Sequence, residues 1–449
     1  MHYEKLQDGT VKCIEDEIPF EVPEGWAWCK LNDIYNFIDY RGATPTKITN
    51  GIPLVTAKNV KSGYIDYTID DYISEEEFKE RQQRGISKKG DILFTTEAPL
   101  GNAALADMEK FSAGQRLITF QQYGSKNELI NYVMLMFILS DFFQQQLYVN
   151  KTGSTVAGIK AAILKTLWIP VPPYNEQLRI SNTLKSAINL IDSISKNKEI
   201  LSTSISNTKS KILDLAIRGK LVSQDSNDEP ASVLLERIRA EKEELIKQGK
   251  IKRDKKESVI FKGDDNSYYG IHLPDSWNWA SLREIALSIS DGSHNPPPNN
   301  GSGIPLLSAA NINDNSILMN EISRWITNEE WKIENQRTNI EVGDVLLTIV
   351  GSIGRSAVVQ NNNHFALQRS VAVIKPCLIN PLYLMHIVQS PQIQKWLTDN
   401  SKGTAQKGIY LNALSLMIIP IPPLAEQARI VEHIHIAYKH LDLISNALL

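Results

Sequence analysis

Two short stretches of the sequence come close to motifs that do chemistry on bases or phosphates. Residues 294–300 read HNPPPNN, which is similar to the Asn-Pro-Pro-aromatic signature of amino-methyltransferases. Pro298 stands where that signature needs an aromatic side chain to stack on a base, so we interpret the stretch as a proline turn. Residues 153–160 read GSTVAGIK, but Ile159 precedes the lysine and no serine or threonine follows it, so we expect no P-loop there.

Histidine and cysteine also lack the spacing of a metal or nucleophile site. The eight histidines form no HExxH pair, and Cys13, Cys29 and Cys377 are too far apart for zinc spacing. No Ser/His/Asp arrangement stands out. A sparse, odd set of cysteines is typical of a reducing compartment. We therefore predict no catalytic residue, no metal site and no cofactor in this chain.

Length and composition indicate a globular protein of two or more domains. The chain has 449 residues, of which 42% are apolar and 22% are charged. The opening MHYEKLQDGT is polar, so we expect no signal peptide, and the longest apolar run has eight residues, against the roughly 20 that span a bilayer. We therefore expect a soluble, cytoplasmic protein.

The net charge of −3 gives no support for nucleic-acid binding by the chain as a whole. Residues 176–257 hold 17 Lys+Arg and 13 Asp+Glu, which makes this region net +4. Any contact with nucleic acid must therefore use local patches rather than a basic domain.

The chain repeats itself at a spacing of about 250 residues. IPVPPYNEQLRI from Ile169 and IPIPPLAEQARI from Ile419 agree at eight of twelve positions. Five further segments recur in the same order, and they are VPEGWAW/LPDSWNW, GIPLVTAKNV/GIPLLSAANI, GDILFTT/GDVLLTI, the Gln-Arg pair, and GSTVAGI/GTAQKGI. This period is domain-sized, so we predict two similar domains with pseudo-two-fold symmetry.

Each copy reads as an α+β globule. Short apolar or alternating runs edged by Gly, Pro and Asn predict strands, and residues 127–147 predict one helix with a buried Met and Phe stripe. We divide the chain into a first domain (1–175), a central helical spacer and linker (176–257), a second domain (258–425) and a C-terminal helix (426–449).

The sequence changes to helical spacing after each proline pair. Asn175 is predicted to cap a helix over 176–217, and a second helix is predicted over 230–248. Apolar residues in steps of four and three indicate a coiled-coil seam, and its residues are Leu184, Ile191, Ile194, Leu201, Ile205, Ile212, Ile434, Leu441, Ile444 and Leu448. Two such helices leaving two-fold-related domains would pair antiparallel. The alternative is that each helix covers its own domain.

The proline segments, the GWxW opening and the heptads after PPxxEQ together make the chain resemble the specificity subunit of type I restriction-modification systems. LDLAIRGKLV (213–222) and EPASVLLERIRAEKEEL (229–245) are also similar to the central region of that family. The resemblance covers nearly the whole chain. The second helical stretch is shorter than the first and no second LAIRGKLV follows it, so we expect a lopsided coiled coil or a truncated or recombined variant.

This resemblance implies a non-catalytic subunit. Each of two target-recognition domains would read half of a split double-stranded DNA sequence, and the long helices would set the gap between the halves. Adenine methylation and cleavage would belong to partner subunits, two methylase subunits and the restriction/translocase subunits, with S-adenosylmethionine held by the methylase. Two alternatives stay open, which are a restriction enzyme or methylase with fused recognition domains and a two-module scaffold that does not bind DNA.

Polar and basic side chains in the loops between strands are the candidate DNA contacts, because loops carry function on a packed scaffold. In the first copy these are Arg41, Thr44, Lys47, Lys58, Asn59, Arg84, Lys151 and Ser154. In the second copy they are His294, Asn295, Asn311, Arg337, Arg355, Lys402 and Thr404. Gln115-Arg116 and Gln368-Arg369 recur in both copies, which indicates a shared structural or backbone role.

Overall fold

The computed structural model describes residues 3–6, 8–40, 44–68, 71–123, 129–153, 157–253, 267–403 and 407–448. The chain forms two compact units, Met1–Ile194 and Ser195–Leu449. The boundary falls inside one long helix, so the helical region 176–257 is shared between the units and is not a body of its own.

The first unit is built from short strands with helices packed beside them. Its strands are β1 (Tyr3–Lys5), β2 (Val11–Cys13), β3 (Ala27–Lys30), β4 (Tyr35–Asp39), β5 (Ile52–Val55), β6 (Tyr72–Ile73), β7 (Ile92–Thr96), β8 (Leu100–Leu105), β9 (Ser112–Ala113), β10 (Leu117–Gln122) and β11 (Trp168–Val171). Its helices are α1 (Leu31–Ile34), α2 (Glu75–Glu80), α3 (Asn131–Leu139), α4 (Asp141–Val149), α5 (Ala161–Leu164) and the start of α6 (Tyr174–Ile217).

The second unit holds the end of α6, and it repeats the order of elements of the first unit with one additional helix at its start and one additional short hairpin. Its further helices are α7 (Ala231–Lys247), α8 (Leu282–Ile285), α9 (Asn328–Thr338), α10 (Pro381–Val388), α11 (Pro391–Asp399), α12 (Leu411–Ser415) and α13 (Leu424–Asn446). Its strands are β12 (Ser267–Tyr268), β13 (Ile271–His272), β14 (Asn278–Ser281), β15 (Ala286–Asp291), β16 (Ile304–Leu307), β17 (Ile312–Asn313), β18 (Ser316–Ile317), β19 (Trp325–Ile326), β20 (Val345–Thr348), β21 (Ser356–Val358), β22 (Ala366–Leu367), β23 (Val371–Pro376) and β24 (Ile418–Ile421).

Sheet topology confirms that the repeat is structural. The four-stranded antiparallel sheet has the order β4-β10-β7-β8 in the first unit and β15-β23-β20-β21 in the second. A smaller mixed sheet also recurs, with the order β6-β5-β9 in the first unit and β19-β16-β22 in the second. The strands that GDILFTT and GDVLLTI form are completely buried, as expected for central strands with helices on one face. Two similar α+β units are therefore present, as predicted.

The predicted single helix over 127–147 is wrong, because the described part of this segment forms two helices. Ser140 ends α3 and caps α4, since its Oγ donates to the carbonyl of Phe137 at 2.6 Å and accepts from the amide of Phe143. Ser390 ends α10 in the same way, with its Oγ 2.6 Å from the carbonyl of Ile387. Serine favours such caps because its hydroxyl competes for backbone partners, and helical periodicity alone does not register this break.

The ends of each globule pair with each other. Strand β3, from the GWAW segment, runs antiparallel to β11, from the LWIPV segment, and β14 pairs with β24 in the same register. The prolines that follow cannot extend the ladder, so each chain leaves the sheet and begins a helix. This pairing explains why both the tryptophan segment and the proline segment occur twice.

A buried glutamine fixes the start of each long helix. Gln177 Oε1 accepts from the amide of Ile130 at 2.8 Å, and its Nε2 donates to the carbonyl of Pro172 at 2.9 Å. Gln427 makes the matching bonds to the amide of Asn380 (2.9 Å) and the carbonyl of Pro422 (3.1 Å). Helix α6 begins at Tyr174, two residues earlier than predicted.

Asn175 lies within the first turn of α6 and is not its cap. The carbonyl of Pro173 accepts from the amides of Glu176 (2.8 Å) and Gln177 (3.0 Å), so the proline pair leads directly into the helix. The predicted helix over 230–248 is confirmed as α7, and the predicted tail helix is confirmed as α13.

The end of α6 pairs antiparallel with α13 inside the second unit. Lys209 binds Asp442 at 2.5 Å and its carbonyl accepts from Tyr438 Oη at 3.3 Å, while Gln224 and Asp228, further along the chain, meet the first turns of α13. Residues that come later in the chain, from Lys209 to Asp228, therefore contact successively earlier residues of α13. This order fits the predicted antiparallel arrangement.

Only part of the predicted seam is buried. Ile205 and Ile434 are buried, and Leu184, Ile212, Leu441 and Leu448 are half-buried. Ile191, Ile194, Leu201 and Ile444 are exposed, and so is every residue from 191 to 204. The reason is reach, because α13 ends at Asn446, about one helical turn beyond the Lys209–Asp442 pair, so its partner residues on α6 lie near 205 and beyond.

No helix in the described residues is long and apolar enough to cross a membrane.

Replacing Gln427 with alanine should destabilise the second unit. The change leaves a buried amide and a buried carbonyl without partners, which costs about 1–3 kcal/mol. Hydrogen exchange followed by mass spectrometry should show faster exchange around residues 380–385. Gln83→Ala, at an exposed position, is the control and should leave exchange unchanged. Equal exchange in both variants would contradict the role given to this side chain.

Candidate nucleic-acid interface

The repeated Gln-Arg pair forms a turn at one edge of each unit, which we call the QR turn (Gln115–Arg116 and Gln368–Arg369). In the first unit it connects β9 to β10, and the amide of the preceding Gly114 binds the carbonyl of Val55 at 2.7 Å. In the second unit the amide of Gln368 binds the carbonyl of Leu307 at 2.8 Å. The loops that follow β5 and β16 therefore start beside the QR turn.

Further loops meet the QR turn of the first unit. Gln115 Nε2 donates to Thr44 Oγ1, and Arg116 Nε lies 3.0 Å from a carboxylate oxygen of Glu97. Glu97 in turn forms a β-bridge with Gly158, which also bridges Thr152 in the glycine-rich loop. Arg116 has φ of +63°, an uncommon conformation for a non-glycine residue and one that clusters at functional sites.

The second unit gathers the same loops. Ser293 pairs with Gln368, and the amide of Arg369 binds the carbonyl of Ser293 at 2.9 Å. Val350 pairs with Gly408, which also pairs with Lys402. The geometry therefore brings the predicted segments around His294 and Lys402 to one edge, as it brings Thr44 and the loop of Thr152 to the edge of the first unit.

An arginine is fixed to the end of the same strand in both units. Arg84 Nη1 donates to the carbonyl of Asp39 at 3.0 Å, and Arg337 Nε donates to the carbonyl of Asp291 at 2.9 Å. Arg337 also binds the Asp291 carboxylate, which accepts from His294 Nε2 at 2.8 Å when that nitrogen carries the proton. Both arginine side chains are exposed and held by a backbone carbonyl, so they are candidates for contacts with phosphate.

Asn59 and Asn311 need a correction, because both side chains are buried at 3% exposure. Asn59 Oδ1 accepts from the amide of Thr56 at 2.9 Å and its Nδ2 donates to the carbonyl of Asp66. Asn311 makes the matching bonds to the amide of Ser308 (3.0 Å) and the carbonyl of Glu321 (2.8 Å). Asn59 therefore holds the turn that presents the exposed Lys58, and Asn311 holds the equivalent turn of the second unit.

The remaining candidates stay predictions as DNA contacts. Lys47 binds Asp71 at 2.6 Å, the Lys151 ammonium lies 5.4 Å from the centre of the Tyr148 ring, and Asn295 and Lys402 are exposed. Arg355 is exposed on a backbone that Thr348 fixes, since the amide of Arg355 donates to Thr348 Oγ1 at 3.0 Å. Arg41, Ser154 and Thr404 lie outside the described residues.

Arg116 and Arg369, for which the sequence indicated a shared structural or backbone role, are both exposed where these loops meet. Their signal was already in the sequence, because they recur in both copies while the neighbouring loop residues differ. A residue common to both units cannot distinguish two DNA sequences. These arginines are therefore better suited to the sugar-phosphate backbone than to base edges.

Buried carboxylates at the opposite end of the central strands from the QR turn are structural. Burial raises the pKa of Asp91, whose carboxylate accepts from the amide of Lys88 and from Gln121 Nε2, both at 2.8 Å. Burial likewise raises the pKa of Asp344, which accepts from the amide of Glu341 and from Lys375 Nζ at the same distance. Each residue fixes the turn that leads into the central strand. Within the described ranges, no three His, Cys, Asp or Glu side chains could together hold a metal ion.

Comparison with known families agrees with a chain built from two similar units. The model of the type I restriction modification DNA specificity domain matches residues 23–202 and again residues 274–448. The chain belongs to the type I restriction-modification specificity family. Both matches begin at the tryptophan segment and end in or just after a long helix. Each therefore contains one globule and one hinge, which is the proline pair with the buried glutamine at the start of the helix.

Relatives and solved structures of this family cover nearly the whole chain. The EcoBI specificity subunit of Escherichia coli is 23% identical over 94% of this chain and 81% of its own length. The EcoEI specificity subunit of the same organism is 26% identical over 99% of this chain and 83% of its own length. The crystal structure of the HsdS subunit from Thermoanaerobacter tengcongensis has a TM-score of 0.54 at 18% identity, over 96% of this chain and 93% of that one, so it supports the fold.

Arg355→Ala should weaken binding of the chain to its DNA site by about 1–3 kcal/mol, the cost of losing an arginine that contacts a base. Fluorescence anisotropy with a labelled duplex at fixed salt measures the change. Lys395→Ala removes the same charge from a side chain that is 79% exposed on α11, and it should leave affinity nearly unchanged. Equal affinities of the two variants would remove Arg355 from the interface.

Proposed function

We propose that this chain is the DNA-recognition subunit of a type I restriction-modification complex, in which each unit reads one half of a two-part duplex site. The observation that carries the proposal is the duplicated edge, where equivalent loops meet an equivalent QR turn in both units of a specificity-family chain. The loops differ between the units and the QR turn does not. We therefore expect the loops to read two different half-sequences, while the QR turn makes the same kind of contact with the DNA backbone in both units.

The helices connect the two readers and set the distance between the half-sequences. Helix α6 is continuous over 44 residues, or about 66 Å at a rise of roughly 1.5 Å per residue. A rigid element of this kind fixes a gap better than a flexible linker does. Its exposed apolar residues between 190 and 201 give partner subunits a surface, since exposed apolar patches mark interaction sites.

The partners we propose are two methylase subunits and, in the complete complex, restriction/translocase subunits. The methylase would bind S-adenosylmethionine and carry out methyl transfer, while this chain supplies the sequence selectivity. The complex would act on duplex DNA in the cytoplasm.

A site selection from random duplexes tests the proposal. The purified chain, with and without a methylase subunit, should enrich duplexes that carry two short fixed sequences separated by a gap of constant length and free sequence. Enrichment of one continuous sequence, or of none, would contradict reading by two units.

The chain alone should not methylate DNA or bind S-adenosylmethionine. Transfer of tritiated methyl groups to duplex DNA and equilibrium dialysis with the labelled cofactor measure the two activities. Addition of the methylase subunit should supply both. Methyl transfer by the pure chain would instead support an enzyme with fused recognition domains.

Inserting one heptad after Ser202 should widen the gap without changing either half-sequence. Ser202 is exposed, and seven residues add about 10 Å to a helix, or at most about 3 base pairs of duplex. A one-residue insertion turns the following helix by about 100° and should disrupt binding to two-part sites. An unchanged gap after the heptad insertion would show that α6 does not set the spacing.

A further inference from the structure

The hinge of the second unit is covered by the chain that follows α6. Gly219, with φ of +63°, passes so close to the tryptophan segment that an added Cβ would lie 2.5 Å from Cγ of Pro274. The Glu426 carboxylate then accepts from Gln224 Nε2 at 2.6 Å and from Trp277 Nε1 at 2.9 Å. Asp228 binds the guanidinium of Arg429, two residues beyond the hinge glutamine. We call residues 219–247 the covering segment.

Helix α7 completes this cover. Arg239 Nη2 binds Glu284 Oε1 at 2.7 Å, and Lys242 Nζ donates to the carbonyl of Arg283 at 3.0 Å. Leu234, Leu235 and Ile238 join the core of the second unit. The covered residues are buried as a result, with exposed fractions of 1% for Trp277, 2% for Glu284, and 0% for Ile285 and Glu426.

The first unit carries the same residue types at the equivalent positions. The repeat places Trp26, Asp33, Ile34, Glu176 and Arg179 where the second unit has Trp277, Glu284, Ile285, Glu426 and Arg429. We call these five residues the Trp26 face. Trp26, Ile34 and Glu176 are half-buried, and Asp33 and Arg179 are exposed. The face therefore keeps the groups that bind a covering segment, without being buried as its counterpart is.

The indole of Trp26 gives an independent sign of a missing partner. Its Nε1 is buried, yet no acceptor lies within hydrogen-bond distance of it among the described residues. The matching atom of Trp277 binds Glu426, whose carboxylate the covering segment holds from the other side. A buried N–H without an acceptor is destabilising, so a partner that brings Glu176 to it stabilises the unit.

We propose that the Trp26 face docks a second helical segment of the covering type, with the chemistry of residues 219–247. The segment supplies an arginine for Asp33, an amide for Glu176, a carboxylate for Arg179 and an aliphatic helix face for Ile34 and Trp26. These are the contacts that residues 224, 228, 234–238 and 239 make in the second unit. Charge and shape both select such a segment over an unrelated helix.

The 449-residue chain and a labelled peptide of its own residues 213–250 test this proposal. The covering segment of the chain already occupies the equivalent face of the second unit, and its tether gives it a high effective concentration there. The peptide should therefore bind only at the first unit, with one peptide per chain. Fluorescence anisotropy should show saturable binding. Glu176→Arg should weaken this binding by about tenfold or more, because the carboxylate that is to accept from residue 224 of the peptide becomes a cation.

A charge exchange identifies the site directly. Asp33→Arg in the chain should weaken binding of the wild-type peptide, and Arg239→Asp in the peptide should restore it. Glu76→Arg makes the same charge change at an exposed residue of α2 and should have no effect. Absence of saturable binding by the wild-type peptide would overturn the proposal. Binding that is insensitive to both Glu176→Arg and Asp33→Arg would also overturn it, since the peptide would then be elsewhere.

Discussion

A buried glutamine at the start of each long helix is the constraint on which the rest of the structure depends. Its amide joins the first turn of the helix to the start of α3 or α10 and to the proline pair, so the helix leaves each unit in a fixed direction. A buried amide that bonds through both its oxygen and its nitrogen tolerates little displacement, because each lost bond leaves a buried polar group unpaired. The pairing of the first and last strands of the globule supports the same joint.

The joint between each globule and its helix separates the parts of the chain that are the same in both units from the loops that differ. The hinge, the sheet order and the QR turn recur in both units, whereas the loops around the QR turn differ in sequence. Side chains on those loops can therefore change what is read without altering the direction of the helix. A specificity-family chain needs this separation, since a rigid scaffold positions loops that carry the selectivity.

Sequence reasoning recovered the elements whose signals are local or repeated. The repeat fixed the two-unit plan, and apolar spacing predicted the long helices to within a few residues. It missed features that depend on tertiary contacts. The serine that splits α3 from α4 sits inside an unbroken apolar run, Asn59 reads as a loop residue but is buried in a turn, and the exposed seam around Ile191 follows from the reach of α13. The orphaned indole of Trp26 is visible only when the two units are compared atom by atom.

The most direct test of independent reading is a chain in which both units carry the same globule. Residues 23–173 would replace residues 274–423, so that each copy joins its helix at the original proline pair and its glutamine. Site selection from random duplexes should then return two copies of a single half-sequence at the original gap. Recovery of two unlike half-sequences, or of one continuous site, would contradict the account.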